Sequence, residues 1–245
     1  MIKRIFFLVV CVFLIQGEAW AINARVNDVY ATFEAPLKNS DIYATKKNTF
    51  RLNFDAFETG PVADLMSLTD TQKTLEMIIG DQNMALLSSD ERDMIAQDIQ
   101  ESFRRYAYEW LFDDSMGAMR LVGVEAGDGA QETILKIERI INFLPDFVFD
   151  VYAHNVNGAW KAYDFGILGI RYSGLKRSAY LKNLKLEGAQ GLSDFLQAKN
   201  IKFFRQLCRS KNVERTQVEK NLHKDQKLPL NHLSYSKICV KYAEH

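Results

Sequence analysis

Apolar side chains recur every three or four residues in the first part of the chain, after an unbroken apolar run near its start. Val29 and Phe33 follow this spacing and predict an amphipathic helix over residues 23–35. The same spacing after Asp70, a good N-capping residue, predicts another helix that ends at Gly80. Each of these helices would have one apolar face to bury against the rest of the protein.

The longest predicted helix spans residues 89–112. Ser88 and Glu91 precede and open it with the spacing of a capping box. One apolar stripe then runs along the helix: Ile95, Ile99, Phe103, Tyr106 and Trp110. A stripe of this kind predicts a helix that packs against other elements over most of its length.

The period of the apolar positions changes from helical to alternating near residue 118. Four segments rich in β-branched and aromatic residues follow, at residues 118–125, 132–142, 147–154 and 160–168. Short connections with turn residues separate them, which favours antiparallel hairpins. Helical spacing returns after Gly169, with a break at Gly188. The order predicts an α+β fold, in which an antiparallel sheet of about four strands carries helices packed on one face.

The N-terminus has the three parts of a secretory signal peptide. Lys3 and Arg4 precede an apolar run of eleven residues, and Ala19 and Ala21 supply the small residues of a cleavage site. Eleven helical residues are too short to cross a hydrocarbon core of about 30 Å. We therefore expect residues 1–21 to be removed and the mature chain to be exported.

The charge distribution divides the mature chain into two parts. The whole sequence has 31 Lys and Arg against 31 Asp and Glu, so no overall field indicates a nucleic-acid partner. Residues 201–245 contain ten basic and four acidic residues. We expect a folded domain at residues 22–200 and a basic, solvated and partly disordered C-terminal extension at 201–245. That extension contains Cys208 and Cys239. The sequence fits a disulfide between them and two unpaired thiols equally well.

The sequence contains no motif of catalysis or of metal binding. There is no phosphate-binding glycine loop, no nucleophile elbow and no His-Glu-x-x-His motif. Among the histidines, only His154 has candidate partners for acid–base work, namely Asp150 or Asp164. The sequence thus predicts no enzyme, no metal site and no cofactor.

A run of residues between positions 160 and 199 resembles one protein family. It contains Trp160, Tyr163, Asp164, Gly169, Arg177, Tyr180, Gly188, Gly191 and Leu192 at fixed spacing. This run resembles the MlaC family of periplasmic phospholipid-binding proteins, also called the toluene-tolerance family. The resemblance extends more weakly back to about residue 23 and does not include residues after 199.

The resemblance implies a lipid carrier of the periplasm. In that family an α+β body encloses an apolar cavity that holds phospholipid acyl chains. The partners that it implies are phospholipid, an outer-membrane lipoprotein–porin complex and an inner-membrane ABC transporter complex with a substrate-binding ring. The carrier would be the soluble component that shuttles lipid between the two membranes.

Apolar side chains of the strands and of the last helices are the candidate walls of such a cavity. Alternation predicts that Phe147, Phe149 and Val151 share one face of the sheet, and that Tyr163, Phe165 and Ile167 do so as well. The full set of candidate lipid contacts is Ile137, Phe147, Phe149, Val151, Tyr163, Phe165, Ile167, Tyr180, Leu184, Leu192, Phe195 and Leu196. We favour a structural role for Asp164. For Arg177 two roles stay open: a structural contact, or contact with a headgroup or a partner.

Other functions fit the same fold class. The cargo of the carrier can be another lipid, such as a hopanoid or an isoprenoid. A pocket-bearing enzyme on a cystatin-like or nuclear-transport-factor-like fold would need His154 or Asp164 to face inward, with a perturbed pKa. An interaction protein would instead have a filled interior.

Overall fold

The computed structural model describes residues 26–34, 36, 57–111, 119–129, 131–139, 147–222, 239 and 241–242. The predicted signal peptide lies outside these residues. Among the described residues, no helix is both long and apolar enough to cross a membrane.

In the described part of the chain, residues 239 and 241–242 are helical, and six longer helices precede them. These are α1 at residues 26–34, α2 Ala63–Ser67, α3 Thr71–Ile79, α4 Asp81–Met84, α5 Ser89–Leu111 and α6 Tyr172–Leu222. A π-helical turn, Glu58–Val62, leads directly into α2. Gly188 interrupts α6, because its φ of 71° and ψ of −166° lie outside the helical region.

Local capping starts α3 and α5 as the sequence predicts. The Asp70 side chain accepts a hydrogen bond from the Lys73 amide at 2.9 Å, at the start of α3. At the start of α5 the Glu91 carboxylate accepts from the Ser88 amide at 2.8 Å, and the Ser88 hydroxyl accepts from the Glu91 amide. This reciprocal pair is a capping box, and the prediction is confirmed.

The strands form one antiparallel sheet in chain order. They are β1 Met119–Ala126, β2 Glu132–Arg139, β3 Phe147–Val156, β4 Ala159–Ile167 and the short β5 Ile170–Arg171. The α+β fold is confirmed, with a two-residue fifth strand added to the predicted four. The helices pack on the face that carries Leu135, Phe149 and Ala153.

A β-bulge in β4 changes which residues share a face. Val151 pairs with Phe165, Tyr152 with Asp164 and Ala153 with Ala162, so Tyr163 is the extra residue. The Tyr163 ring lies 6.5 Å from that of Tyr152 and 5.2 Å from that of His154, between centroids. Both partners lie on the opposite face of β3 from Val151. The bulge therefore interrupts the predicted alternation between Tyr163 and Phe165, and the Tyr163 ring packs against Tyr152 and His154.

Three apolar clusters hold the layers together. One lies among α3, α5 and α6 and includes Leu75, Ile95, Ile99, Tyr180, Leu192 and Leu196. A second lies between α1 and the sheet and includes Val29, Phe33, Leu135, Phe149 and Trp160. The third joins Phe57, Val62 and Tyr108 to Phe204, Cys208, Cys239 and Tyr242.

The C-terminal segment is tied to this third cluster. A disulfide joins Cys208 and Cys239, whose Cα atoms are 5.7 Å apart. The Tyr242 ring stacks on Phe204 at 4.6 Å, and the Glu101 carboxylate accepts from the Tyr242 hydroxyl. Helix α6 crosses position 200 without interruption. The expectation of a solvated extension is therefore wrong for the described parts of residues 201–245 that enter this cluster.

A buried polar network joins α5 to α6. The Asp98 carboxylate accepts hydrogen bonds from the Ser193 hydroxyl at 2.5 Å and from the Gln197 amide at 3.4 Å. The Asn200 amide donates to the Asp98 carbonyl oxygen at 3.2 Å. Burial raises the pKa of Asp98 above its usual range, against the smaller lowering by Ser193 and Gln197.

Lowering the pH from neutrality to about 4, the usual pKa of an aspartate in an unfolded chain, is expected to stabilise the fold through Asp98. Because the pKa of Asp98 is raised in the folded state, this contribution is fully present below the unfolded-state pKa. It is lost as the pH rises through the folded-state pKa. Asp98→Asn is expected to flatten the plot of the free energy of urea unfolding against pH. A plot with the wild-type slope in this variant would contradict the prediction.

Candidate functional site

A cavity of about 180 Å³ lies between the sheet and the helices α1, α2 and α5. Its walls expose almost only apolar atoms. The lining residues are Phe33, Pro36, Leu65, Met66, Leu68, Thr69, Phe103, Tyr106, Ala107, Met119, Ile137, Phe149, Val151, Ala162, Tyr163, Asp164 and Phe165. An apolar lining of this kind favours an apolar ligand over a charged one.

Small side chains on the sheet help to leave this space open. Val151 and Ala162 lie on the helix-facing side of the sheet, and Ala107 lines the cavity from α5. Protein interiors are normally packed to the density of organic crystals, so a void needs small residues on both walls. The larger rings of Phe149 and Phe165 lie beside Val151 and bound the space.

Aromatic rings from α5 and α6 support the helical wall. Phe103 and Tyr106 line the cavity, and their ring centroids lie 5.6 Å and 5.9 Å from that of Tyr172. The Tyr172 ring in turn stacks on Phe165 at 4.9 Å. Edge-to-face and stacked contacts of this kind add stability beyond the area that they bury. Tyr172, in the first turn of α6, thus packs against these wall residues and supports them.

Asp164 has a structural role at the start of α6. Its carboxylate accepts hydrogen bonds from the Ser173 hydroxyl at 2.6 Å, the Ser173 amide at 3.1 Å and the Phe165 amide at 2.9 Å. Burial raises the pKa of Asp164, and these donors oppose that effect. The side chain satisfies an amide of the first helical turn, as an N-cap does.

His154 lies away from the cavity and has a different partner from those expected. Its ring nitrogen is 2.9 Å from an Asp70 carboxylate oxygen. Asp150, the first candidate partner, instead accepts from Lys136 at 2.8 Å. Asp164 lines the cavity and burial raises its pKa, but three donors hold its carboxylate and His154 is paired with Asp70, so the two residues do not form an acid–base pair. Among the described residues, no group of His, Cys, Asp and Glu fits a metal ion.

Arg177 joins two helices. Its guanidinium donates to the Ile78 carbonyl at 3.2 Å and to the Met77 carbonyl at 2.9 Å. These carbonyls lie in the last turn of α3, where free acceptors and the negative end of the helix dipole attract a cation. Arg177 does not line the cavity.

Five of the twelve predicted lipid contacts line the cavity: Ile137, Phe149, Val151, Tyr163 and Phe165. Phe147 packs beside the sheet cluster, and Ile167 is exposed. The remaining five, Tyr180, Leu184, Leu192, Phe195 and Leu196, belong to the cluster among α3, α5 and α6. Those side chains pack against neighbouring helices because this part of α6 presents its apolar face to α3 and α5. Contact of the five lining residues with lipid stays a prediction.

Several lining residues were missed because they come from the helices before the sheet. Leu65, Met66 and Leu68 lie in and just after α2, and Phe103 and Tyr106 lie on α5. The sequence carries one signal for the last two, since they continue the apolar stripe of α5 beyond Ile99. An apolar stripe shows that one face of a helix is buried, but it does not show whether another element fills the space beside that face.

Comparison with known proteins identifies the fold. No protein-family model matches the chain, and no curated protein matches it significantly. A phospholipid-binding protein from Ralstonia solanacearum, solved in complex with a phospholipid, has a similar structure with a TM-score of 0.55. The similarity covers 72% of this chain and 97% of the other, at 14% sequence identity. At this identity the two chains share a fold.

Proposed function

We propose that this protein is a phospholipid carrier of the periplasm. The observation that carries the proposal is the apolar cavity between the sheet and the helices, in a fold shared with a protein solved with a bound phospholipid. The chain's resemblance to the MlaC family at residues 160–199 supports the same assignment. The signal-peptide pattern at residues 1–21 supports export.

The energetics of lipid transfer explain why such a cavity is useful. Each CH₂ group gains about 0.8 kcal/mol on leaving water, so an acyl chain does not cross an aqueous gap readily on its own. A cavity whose walls expose almost only apolar atoms lets the chain leave one apolar phase for another. The few polar atoms in the wall favour a ligand whose headgroup stays outside.

The size of the cavity sets how much lipid the described conformation holds. At about 180 Å³ it is slightly larger than an engineered apolar cavity of ~150 Å³ that binds benzene. It therefore accepts part of one acyl chain. To hold a whole phospholipid, the helical wall with Met66 and Tyr106 has to move away from the sheet. Lipid binding is in this proposal coupled to separation of the two layers.

The transport role follows from the family resemblance. In this proposal the carrier receives or delivers lipid at an outer-membrane lipoprotein–porin complex and at an inner-membrane ABC transporter complex with a substrate-binding ring. The carrier itself performs no chemistry on the lipid. The two candidate groups for acid–base work, His154 and Asp164, are engaged by Asp70 and by Ser173 with Phe165, respectively.

Mass spectrometry of organic extracts tests the proposal. Residues 22–245 would be exported and purified without detergent, then extracted before and after incubation with phospholipid vesicles. Phospholipid in stoichiometric amount would support the carrier and identify its cargo. A hopanoid or isoprenoid in its place would favour the alternative cargo. Protein free of lipid under both conditions would contradict a carrier role.

A further inference from the structure

Four exposed aliphatic side chains lie close together where β4 turns into β5 and α6 begins. They are Ile167, Leu168, Ile170 and Leu175, with exposed fractions of 39%, 92%, 59% and 66%. Single exposed aliphatic residues are ordinary on protein surfaces, whereas a group of them indicates a binding surface. We refer to these four residues as the apolar tip.

The backbone of the turn holds the apolar tip in water. Leu168 has a φ of 53° and Gly169 a φ of 79°, so both lie in the left-handed region. This region is unfavourable for a bulky residue such as leucine, and asparagine or glycine is the usual choice. A leucine that is almost fully exposed at such a position contributes little to folding. Its presence is better explained by a contact outside the chain.

A basic stripe continues from the apolar tip along α6. Leu175, Ser178, Lys182, Lys185 and Leu186 are all exposed and follow helical spacing on one side of the helix. Between positions 178 and 186 the charged residues are Lys182 and Lys185, and no acidic residue lies among them. Aliphatic and Lys side chains on the same helix face are typical of helices that lie on an anionic membrane surface.

The apolar tip adjoins the cavity through the sheet. Ile137 pairs with Phe149, and Phe149 pairs with Ile167, so the three form one row across β2, β3 and β4. The first two line the cavity and the third belongs to the apolar tip. The first turn of α6 adjoins the cavity as well, because Tyr172 stacks on Phe165. A surface that Ile167 contacts thus lies only one strand away from Phe149 in the wall of the cavity.

We propose that the apolar tip and the basic stripe of α6 dock the protein on an anionic lipid bilayer, with the tip inserted among the lipids, an inference that rests on the proposed lipid-carrier function. Docking there brings the cavity to the bilayer, so an acyl chain passes between them over a short apolar path. Lys182 and Lys185 attract the anionic headgroups, and Leu168 and Ile170 enter the apolar layer.

A membrane explains this surface better than a protein partner. Lysine is depleted in protein–protein interfaces, and aromatic residues are enriched there. The apolar tip consists of aliphatic residues alone, and the stripe beside it carries lysines. The tip is also a projecting turn, which inserts into a fluid surface without a complementary pocket.

Vesicle binding tests the docking. The mature protein, residues 22–245, would be sedimented with vesicles of phosphatidylcholine alone and with vesicles containing phosphatidylglycerol. The double variant Leu168→Asn, Ile170→Thr is suited to the test, because asparagine keeps the left-handed turn and threonine keeps the β-branched strand residue. We expect this variant to bind phosphatidylglycerol vesicles on the order of a hundredfold more weakly. Lys182→Gln with Lys185→Gln should weaken that binding about tenfold and leave phosphatidylcholine binding unchanged.

The matched control is Val156→Thr, because Val156 is 37% exposed at the end of β3, beside the turn that precedes β4 and at the opposite end of β4 from the apolar tip. The control should bind vesicles as the wild type does. Wild-type binding in the tip variant, or no wild-type binding to phosphatidylglycerol vesicles, would overturn the docking proposal and leave a protein partner for this surface. Lipid extracts from the same variants separate the two proposals. Stoichiometric lipid without vesicle binding would contradict docking alone, and absence of lipid in the wild type would contradict the carrier function.

Discussion

The variant Val151→Trp is expected to lose most of its bound lipid and to keep its fold. Val151 lies in the middle of β3 on the helix-facing side and lines the cavity. An indole group at this position would occupy a large part of the space of about 180 Å³ that we propose for the acyl chain. Extraction and mass spectrometry should show at least a tenfold loss of lipid per protein, which corresponds to a loss of binding free energy of about 1.4 kcal/mol.

The control for this variant lies on the same strand. Val148 is 43% exposed and belongs to the opposite face of β3. Val148→Trp adds the same group outside the cavity, so lipid content should equal that of the wild type. Circular dichroism and thermal unfolding of both variants would show that the fold is kept. Unchanged lipid in Val151→Trp would mean that the acyl chain lies elsewhere.

The variant Phe204→Ala is expected to lower the free energy of unfolding by about 3–5 kcal/mol. Phe204 is fully buried, with its ring 5.6 Å from that of Tyr108 and stacked on that of Tyr242. Removing the ring leaves a cavity among α5, α6 and the C-terminal segment. Urea unfolding followed by circular dichroism would measure the loss.

An exposed position on the same helix gives the comparison. Leu186 is 71% exposed, so Leu186→Ala should change the free energy of unfolding by less than about 0.5 kcal/mol. Reduction of the Cys208–Cys239 disulfide should weaken the same region, typically by about 2–4 kcal/mol. A loss below about 1 kcal/mol in Phe204→Ala would show that the C-terminal segment unfolds separately from the core.

The prediction for β4 shows how one inserted residue changes a site. Alternation along β4 predicts that Tyr163 and Phe165 share a face. The register shift at Tyr152 and Ala153 interrupts this alternation, and both residues still line the cavity. The bulge sits beside Asp164, whose carboxylate is held by Ser173 and Phe165. A local sequence pattern contains no information about these hydrogen bonds. They form only because α6 begins beside the edge of the sheet.

The walls of the cavity show a similar limit. Phe149 and Val151 were predicted as wall residues because the sheet has one apolar face, and they line the cavity. Leu192 and Leu196 were equally apolar and equally periodic, yet they fill the helical cluster. Hydrophobic spacing shows that a residue is buried, but the crossing of the helices sets what it is buried against.

Short-range interactions in the chain were sufficient for the helices, the strands and the α+β class. Capping at Ser88, turn residues between strands and the change of apolar period act within a few residues, so the local sequence contains them. Packing over long distances set the rest: the bulge at Tyr163, the burial of Phe204 by Tyr242, and the gap between sheet and helices. These features depend on side chains that are distant in the sequence, whose volumes and bond partners meet only when the layers close.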